Sequence, residues 1–91
     1  FDIFLFLSVD EKFLSQINVF PNPVVDAVFV DFPQQTKSKL TLMSIDGQKL
    51  LTKELHSDQL QLDLSHIQSK GVYFLKIETS KGTITKKIVK V

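Results

Sequence analysis

The stretch LTLMSIDGQKLL, residues 40–51, decides the fold that this sequence predicts. Leu40 and Leu42 share one face of a strand, because side chains two residues apart point the same way. Asp46-Gly47 follows, and an Asp-Gly pair between two β-rich segments is the strongest short signal for a hairpin. Residues 49–56 return as the partner strand. The centre of the chain is therefore predicted to be antiparallel β-structure.

Further strands are predicted on both sides of this hairpin, separated by turn signals at roughly 8–12-residue intervals. The seven predicted strands cover residues 17–20, 27–32, 40–42, 49–56, 60–64, 72–79 and 83–91. The alternation predicts a core that includes Val28, Val30, Leu40, Leu42, Leu60, Leu62, Leu75 and Ile77. This pattern favours an all-β fold, a small immunoglobulin-like β-sandwich of about seven antiparallel strands, although the Cys–Trp–Cys triplet of true immunoglobulin domains is missing.

The turns between these strands are predicted from proline, glycine and short polar side chains. Pro21-Asn22-Pro23 ends the first strand, since the two prolines have no N–H for a ladder. Asp26 is expected to accept backbone N–H bonds in an Asx-type turn. Residues 33–38 (PQQTKS) are predicted to be a polar connection, and Ser65 is predicted to cap one helical turn at residues 65–68.

The N-terminal part of the chain leaves alternatives open. Residues 1–9 (FDIFLFLSV) are strongly apolar, but they are too few to cross a bilayer as a helix. They also lack the features of a signal peptide, so the chain is expected to be the tail end of a longer protein. Residues 1–9 are then a strand of a preceding domain or a first strand of this one. Residues 10–16 are a linker or a short helical turn.

Composition excludes several classes of protein. The 91 residues are 43% hydrophobic and 23% charged with a net charge of +1, which is typical of one soluble globular domain. With no cysteine, disulfides, thiolate zinc sites and a cysteine nucleophile are excluded. Lysine dominates residues 70–91, but there is no arginine to grip phosphate or guanine, so nucleic-acid binding is not predicted. These lysines are typical of an edge strand that resists aggregation.

Candidate catalytic and ligand-binding residues are few. Ser65 and His66 lie near Asp63, but sequence neighbours rarely face each other as nucleophile and base. Asp58, Asp63 and His66 do not have the spacing of a known metal site. We therefore predict no enzyme, no cofactor and no metal. A carbohydrate-binding or adhesion module is the alternative, although sugar faces favour Trp and Tyr and this chain has only Tyr73. Its phenylalanines are spaced as core or lie in the N-terminal run.

Four motifs, taken in order, carry a resemblance to a known family. They are Val19-Phe20-Pro21-Asn22-Pro23 with Asp26, Val28 and Val30; Leu40-Thr41-Leu42 with Asp46-Gly47-Gln48 and Leu50; Leu62-Asp63-Leu64-Ser65 with Ile67, Gly71-Val72-Tyr73 and Leu75; and Gly82 with Lys86-Lys87-Ile88-Val89-Lys90-Val91. Over residues 17–91 the chain resembles the type A C-terminal sorting domain of the type IX secretion system.

The resemblance implies an address rather than an activity. In that family the domain ends large cargo proteins of Bacteroidota and directs them from the periplasm through an outer-membrane translocon. A sortase-like cysteine protease commonly removes the domain, and a surface anchor can replace it. The implied location is secreted or cell-surface, the implied partners are the translocon, that protease and an upstream cargo domain, and residues 1–16 are the cargo's tail or a linker. Insertion into the membrane is not implied.

Two groups of residues follow as site hypotheses. The end of the chain is predicted to be bound directly by the secretion machinery through Lys86, Lys87, Ile88, Val89, Lys90 and Val91. A second group is predicted mainly to shape the fold: Pro21, Asn22, Pro23, Asp26, Asp46, Gly47, Gly71, Tyr73 and Gly82. The terminal strand is expected to be a sheet edge on which a partner pairs main chain to main chain. Its three lysines are expected to be exposed, so that glutamine substitutions cost little stability.

Overall fold

The computed structural model describes residues 10–67 and 69–91. In that part the chain forms one short helix and five strands: α1 (Glu11–Ser15), β1 (Asn18–Phe20), β2 (Ala27–Ser44), β3 (Lys49–Asp63), β4 (Gly71–Thr79) and β5 (Gly82–Lys90). The predicted all-β class is confirmed. The apolar segment 1–9, predicted to be a strand of a preceding domain or a first strand of this one, lies outside the described residues.

All five described strands belong to one antiparallel sheet. The order is β1-β2-β4-β5, and β3 pairs with the other edge of β2. β1 and β4 share one edge of β2, since β2 is long enough to pair with β1 near its start and with β4 near its end. The result is a curled sheet in which the β1–β2 connection lies beside the end of β5.

The predicted seven strands and two-sheet sandwich are not confirmed: the described residues form five strands, and all five belong to one sheet. Residues 27–32 and 40–42 belong to one strand, β2, and residues 49–56 and 60–64 belong to β3. Pro33 does not end β2, because the register shifts between Asp31 and Thr36 and no ladder bond is required there. The shift leaves more residues in β2 than in β3, as a bulge does.

The core lies on the concave face of the curled sheet. All eight predicted core residues are buried, which confirms the alternation: Val28, Val30, Leu40, Leu42, Leu60, Leu62, Leu75 and Ile77 are at most 5% exposed. They join one cluster with residues that were not predicted as core, such as Val24 and Ile88, both fully buried. Because these residues come from β2, β3, β4, β5 and the β1–β2 connection, one core holds the described sheet together.

α1 decides between the two predictions for residues 10–16: this segment contains a short helix. The Asp10 carboxylate accepts the Phe13 N–H at 2.9 Å, which is a typical N-cap bond. Phe13 and Leu14 are buried in the core cluster. The Asp10 N–H also donates to the Lys81 carbonyl at 3.0 Å, so the start of α1 is tied to the β4–β5 turn. In the described part of the chain no helix is long or apolar enough to cross a membrane.

Candidate recognition surface at the C-terminal strand

The residues of the chain's end alternate between the two faces of β5. Lys86 and Ile88 pair with Leu75 and Tyr73 of β4, whose side chains are buried, so these two residues of β5 face the core. Lys87 lies on the opposite face and is exposed. The predicted recognition residues therefore do not form one surface.

Lys87, Val89 and Val91 form the outward side of the chain's end. Lys87 and Val91 are exposed, and Val91 is 51% exposed. Val89 is half-buried. On the opposite side, Ile88 is fully buried. Another protein can therefore contact these three outward residues directly. We call Lys87, Val89 and Val91 the outer triplet.

Lys90 corrects the expectation that all three lysines are exposed. It is only 8% exposed, and its Nζ donates a hydrogen bond to the Val25 carbonyl at 2.9 Å. Because Lys90 lies on the same face of β5 as Ile88, its aliphatic part packs against the core while its ammonium group reaches a backbone oxygen. Lys90 thus ties the end of β5 to the β1–β2 connection.

Asn22, between the two prolines, binds the outer edge of β5. Its Nδ2 donates to the Lys87 carbonyl at 2.9 Å, and its Oδ1 accepts the Val89 N–H at 2.9 Å. The side-chain amide therefore makes the two hydrogen bonds that the main chain of a further strand would make with β5. Pro21 and Pro23 have no N–H to offer, so within this turn the amide supplies the pairing.

Val24 continues this pairing with its main chain. The Val24 N–H donates to the Val89 carbonyl at 2.8 Å, and the Val91 N–H donates to the Val24 carbonyl at 2.9 Å. A parallel bridge joins Val24 to Lys90. The outer edge of β5 is therefore covered from the Lys87 carbonyl to Val91 by residues 22–24, which we call the clasp.

Asp26 does not form the predicted carboxylate-capped turn. In the described residues its carboxylate accepts no hydrogen bond, whereas its carbonyl accepts the Leu64 N–H at 2.6 Å. An Asx-type turn would use the N–H of Val28, two residues further on, but Val28 lies in the β2–β3 ladder opposite Leu62. Asp26 instead extends the pairing of β2 with β3 by its main chain.

The Asp46-Gly47 turn is the hairpin that the sequence predicts. Gly47 has a φ of +90°, a left-handed conformation that glycine tolerates best. The turn is closed by Ser44 N–H to the Gln48 carbonyl at 2.9 Å. The Ser44 hydroxyl donates to the Asp46 carboxylate, and this bond, followed by one from the Gln48 backbone, lowers the pKa of Asp46.

This turn supports a prediction on pH. In Ser44→Ala, the pKa of Asp46 is expected to rise towards its ordinary value, because the largest stabiliser of the carboxylate is gone. A lowered folded-state pKa contributes stability above the ordinary pKa, which is lost as the pH falls through the lowered value. NMR titration of both carboxyls measures this. The pKa of Asp63, lowered by Ser65, is the internal control and should stay unchanged.

Tyr73, Gly71 and Gly82 shape the loop before β4 and the starts of β4 and β5. Tyr73 is 8% exposed, and its hydroxyl donates to the Ser69 carbonyl at 2.7 Å, which holds the loop before β4. Gly71 begins β4 with a φ of +132°, and Gly82 begins β5 with a φ of +131°. The Thr79 hydroxyl donates to the Gly82 carbonyl at 2.9 Å and closes the β4–β5 turn.

An open groove of about 480 Å³ lies between the Asp46-Gly47 turn and the loop before β4. Asp46, His66 and Tyr73 line it together. The Asp46 carboxylate is held by Ser44, however, and the Tyr73 hydroxyl by Ser69. Both side chains therefore serve the two turns that form the walls of the groove.

No catalytic arrangement forms around Ser65 in the part of the chain that the structure describes. The Ser65 N–H donates to the Asp63 carboxylate at 2.9 Å, so Asp63 rather than Ser65 caps this turn. His66 is exposed, and no hydrogen bond joins it to Ser65. Among residues 10–67 and 69–91 no three His, Asp or Glu side chains are grouped as metal ligands.

Phe20 departs from the expectation that the phenylalanines are core. It is 41% exposed and stacks on half-buried Phe29, with ring centroids 5.7 Å apart and an interplanar angle of 23°. The two residues are cross-strand partners of β1 and β2. The alternation of residues 28–32, with Val28, Val30 and Phe32 inward, already placed Phe29 on the outer face.

The curled sheet and its clasped terminal strand define a small all-β module whose exposed features are strand ends and edges. No curated protein matches the chain. Its sequence matches the family of secretion system C-terminal sorting domains over residues 18–91, and the chain belongs to that family. The predicted resemblance to the sorting domain of type IX secretion is thereby confirmed.

One solved structure supports the same fold. The chain is similar to part of PorZ of Porphyromonas gingivalis, described as an essential bacterial surface component of the type IX secretion system. The TM-score is 0.75 at 18% sequence identity, and the match covers 92% of this chain. The chain spans only 12% of the length of PorZ. Family membership makes the chain a non-catalytic sorting signal for type IX secretion, which implies export to the cell surface or beyond.

Proposed function

We propose that residues 17–91 are the C-terminal domain that directs an upstream cargo through the type IX outer-membrane translocon. Residues 1–16 are the cargo's tail or a linker to it. A sortase-like cysteine protease then removes the domain, and a surface anchor replaces it. The observation that carries this proposal is the family match over residues 18–91.

Within this function, the outer triplet is the part of the chain's end that the translocon contacts. Lys87 and Val91 are exposed, whereas Ile88 and Lys90 are held in the core and by Val25. A partner with carboxylates opposite Lys87 gains selectivity, since lysines on an edge deter other strands. The clasp residues then act by fixing the position of this strand.

A fusion experiment tests the proposal. A fluorescent reporter carrying a signal peptide and residues 1–91 is expected to reach the surface of a type IX-competent host. Deleting residues 86–91 is expected to trap it in the periplasm. Lys87→Gln with Val91→Ser should lower the surface yield without loss of stability, since exposed substitutions cost under about 0.5 kcal/mol. Cell fractionation and whole-cell fluorescence measure both.

Lys53→Gln with Thr52→Ser is the matched control, because both residues are exposed on β3. This variant should be exported like the wild type. If the wild-type fusion stays in the periplasm, the domain is not a sorting signal in that host. If the Lys87/Val91 variant is exported in full, the translocon does not contact the outer triplet.

A carbohydrate-binding or adhesion module is a second candidate function, favoured by one observation. The exposed Phe20 ring, stacked on Phe29, offers a flat apolar face at the surface. Gln61 pairs with Phe29 on β3 and supplies a polar neighbour. Binding on a glycan array that is lost in Phe20→Ala would favour this candidate over the sorting signal alone.

A further inference from the structure

Among residues 10–67 and 69–91, the outer edge of β5 is covered at both ends and open between them. At one end the Lys81 carbonyl accepts the Asp10 N–H at 3.0 Å. At the other end the clasp begins, where Asn22 binds the Lys87 carbonyl. Lys81 and Lys87 are six residues apart, which corresponds to about 20 Å of extended strand.

The alternation of an antiparallel ladder shows which groups lie in this gap. The N–H and C=O of Val89 point away from β4, because they bind Asn22 and Val24. Every second residue of a strand points its main-chain groups the same way, so those of Thr83 and Thr85 also face outward. In the described residues nothing pairs with them, and both side chains are exposed.

The charge around the gap is positive. Lys86 and Lys87 follow Thr85 directly, and Lys76 is its partner on β4. An ion pair of 3.7 Å joins Lys81 to Asp10 in this region. Among residues 10–67 and 69–91, no carboxylate forms an ion pair with Lys76, Lys86 or Lys87. Glu78, the partner of Thr83, is the acid on the sheet beside the gap.

We propose that this gap, the Thr83–Thr85 slot, receives an extended acidic segment of a partner protein as an added strand. The inference rests on the proposed function, and the partner is a component of the export machinery with carboxylates that lie beside Lys87, on the outer face that Lys76 shares. Main-chain pairing with Thr83 and Thr85 provides affinity, while the lysines select for acidic side chains. The carbonyls of Lys81 and Lys87 are already bonded to Asp10 and Asn22. The space between them therefore holds an added strand of about four or five residues at roughly 3.3 Å each.

The slot is tested on the 91-residue chain with the five-residue probe peptide Ac-Thr-Val-Glu-Val-Glu-NH2. Amide exchange followed by NMR is expected to slow at Thr83 and Thr85. The amides of Val89 and Val91 should not change, because they are already bonded to the clasp. A peptide with Lys in place of Glu should bind about tenfold more weakly, since it meets like charges.

Thr85→Pro and Thr85→Val form the matched pair of variants. Proline removes the outward N–H without breaking a bond to β4, and edge positions tolerate it. It should weaken peptide binding about tenfold, the effect of losing one or two hydrogen bonds, whereas valine should retain it. If up to about 1 mM peptide slows no amide of the slot, or slows Gln59, Gln61 and Asp63 on the β3 edge instead, the proposal is overturned.

The same pair separates this inference from the proposed function. In the reporter fusion, Thr85→Val should be exported and Thr85→Pro should stay in the periplasm with a thermal midpoint close to that of the valine variant. If wild type and Thr85→Pro are exported equally, the slot is not used, although the domain remains a sorting signal. If even the wild-type fusion is not exported, the proposed function fails, and the peptide experiment still decides the slot.

Discussion

Ile88→Ala is expected to lower the free energy of unfolding by about 2–5 kcal/mol. Ile88 is fully buried on β5 opposite Tyr73, in the one cluster that joins β2, β3, β4 and β5. The truncation removes its hydrophobic burial and leaves a cavity that the surrounding strands cannot fill completely. Since small domains are stable by only about 5–15 kcal/mol, the variant should lose a large part of its stability.

Urea unfolding followed by circular dichroism measures this loss. Val91→Ala is the matched control, because Val91 is 51% exposed three residues further on and should cost less than about 0.5 kcal/mol. Equal midpoints for the two variants would show that β5 is not packed on the core in solution. Deleting residues 86–91 removes Ile88 as well, so this deletion lowers the free energy of unfolding in addition to removing a contact surface.

The eight core positions were predictable from sequence, because alternation in a strand with one buried face requires no knowledge of the partner strand. The Asp46-Gly47 hairpin was predictable for a similar reason, since its signal is contained in a few residues. Local periodicity and local turn chemistry therefore carry much of this fold.

The strand count was not predictable in the same way. Pro33 and the polar residues after it look like a connection, and a proline does end a strand where the ladder needs its N–H. Here the register shift between Asp31 and Thr36 removes that need, and the Thr36 hydroxyl donates to the Gln34 carbonyl at 2.7 Å within the irregular stretch. Whether a proline falls at such a shift depends on the partner strand, which one sequence does not reveal.

In the candidate site, too, local sequence signals identify residues but do not show which distant residues they contact. The sequence singled out Asn22 as part of a turn, and it singled out residues 86–91 as a recognition segment. The bonds between Asn22 and β5 join residues 65 and 67 positions apart, so no local pattern indicates them. Only the curl of the sheet brings the clasp to the terminal strand, and this contact decides which backbone groups of β5 remain open.

Lys90→Ala is expected to lower the free energy of unfolding by about 1.5–3 kcal/mol, the range for a hydrogen bond to a charged group. Lys90 is 8% exposed, and its Nζ binds the Val25 carbonyl at 2.9 Å. Alanine removes this bond and also the packing of the aliphatic stem, so β5 loses its tie to Val25, while the bonds of the clasp remain.

Lys87→Ala is the control for charge, since Lys87 lies three residues earlier on the exposed face of the same strand and should cost less than about 0.5 kcal/mol. Lys90→Met separates the two contributions of Lys90. It keeps an unbranched apolar stem and avoids burying a charge, so it restores the packing without the hydrogen bond to Val25. Methionine should therefore recover most of the stability that alanine loses. If Lys90→Ala and Lys87→Ala unfold at the same urea concentration, Lys90 is not held by Val25 in solution, and the clasp depends on Asn22 and Val24 alone.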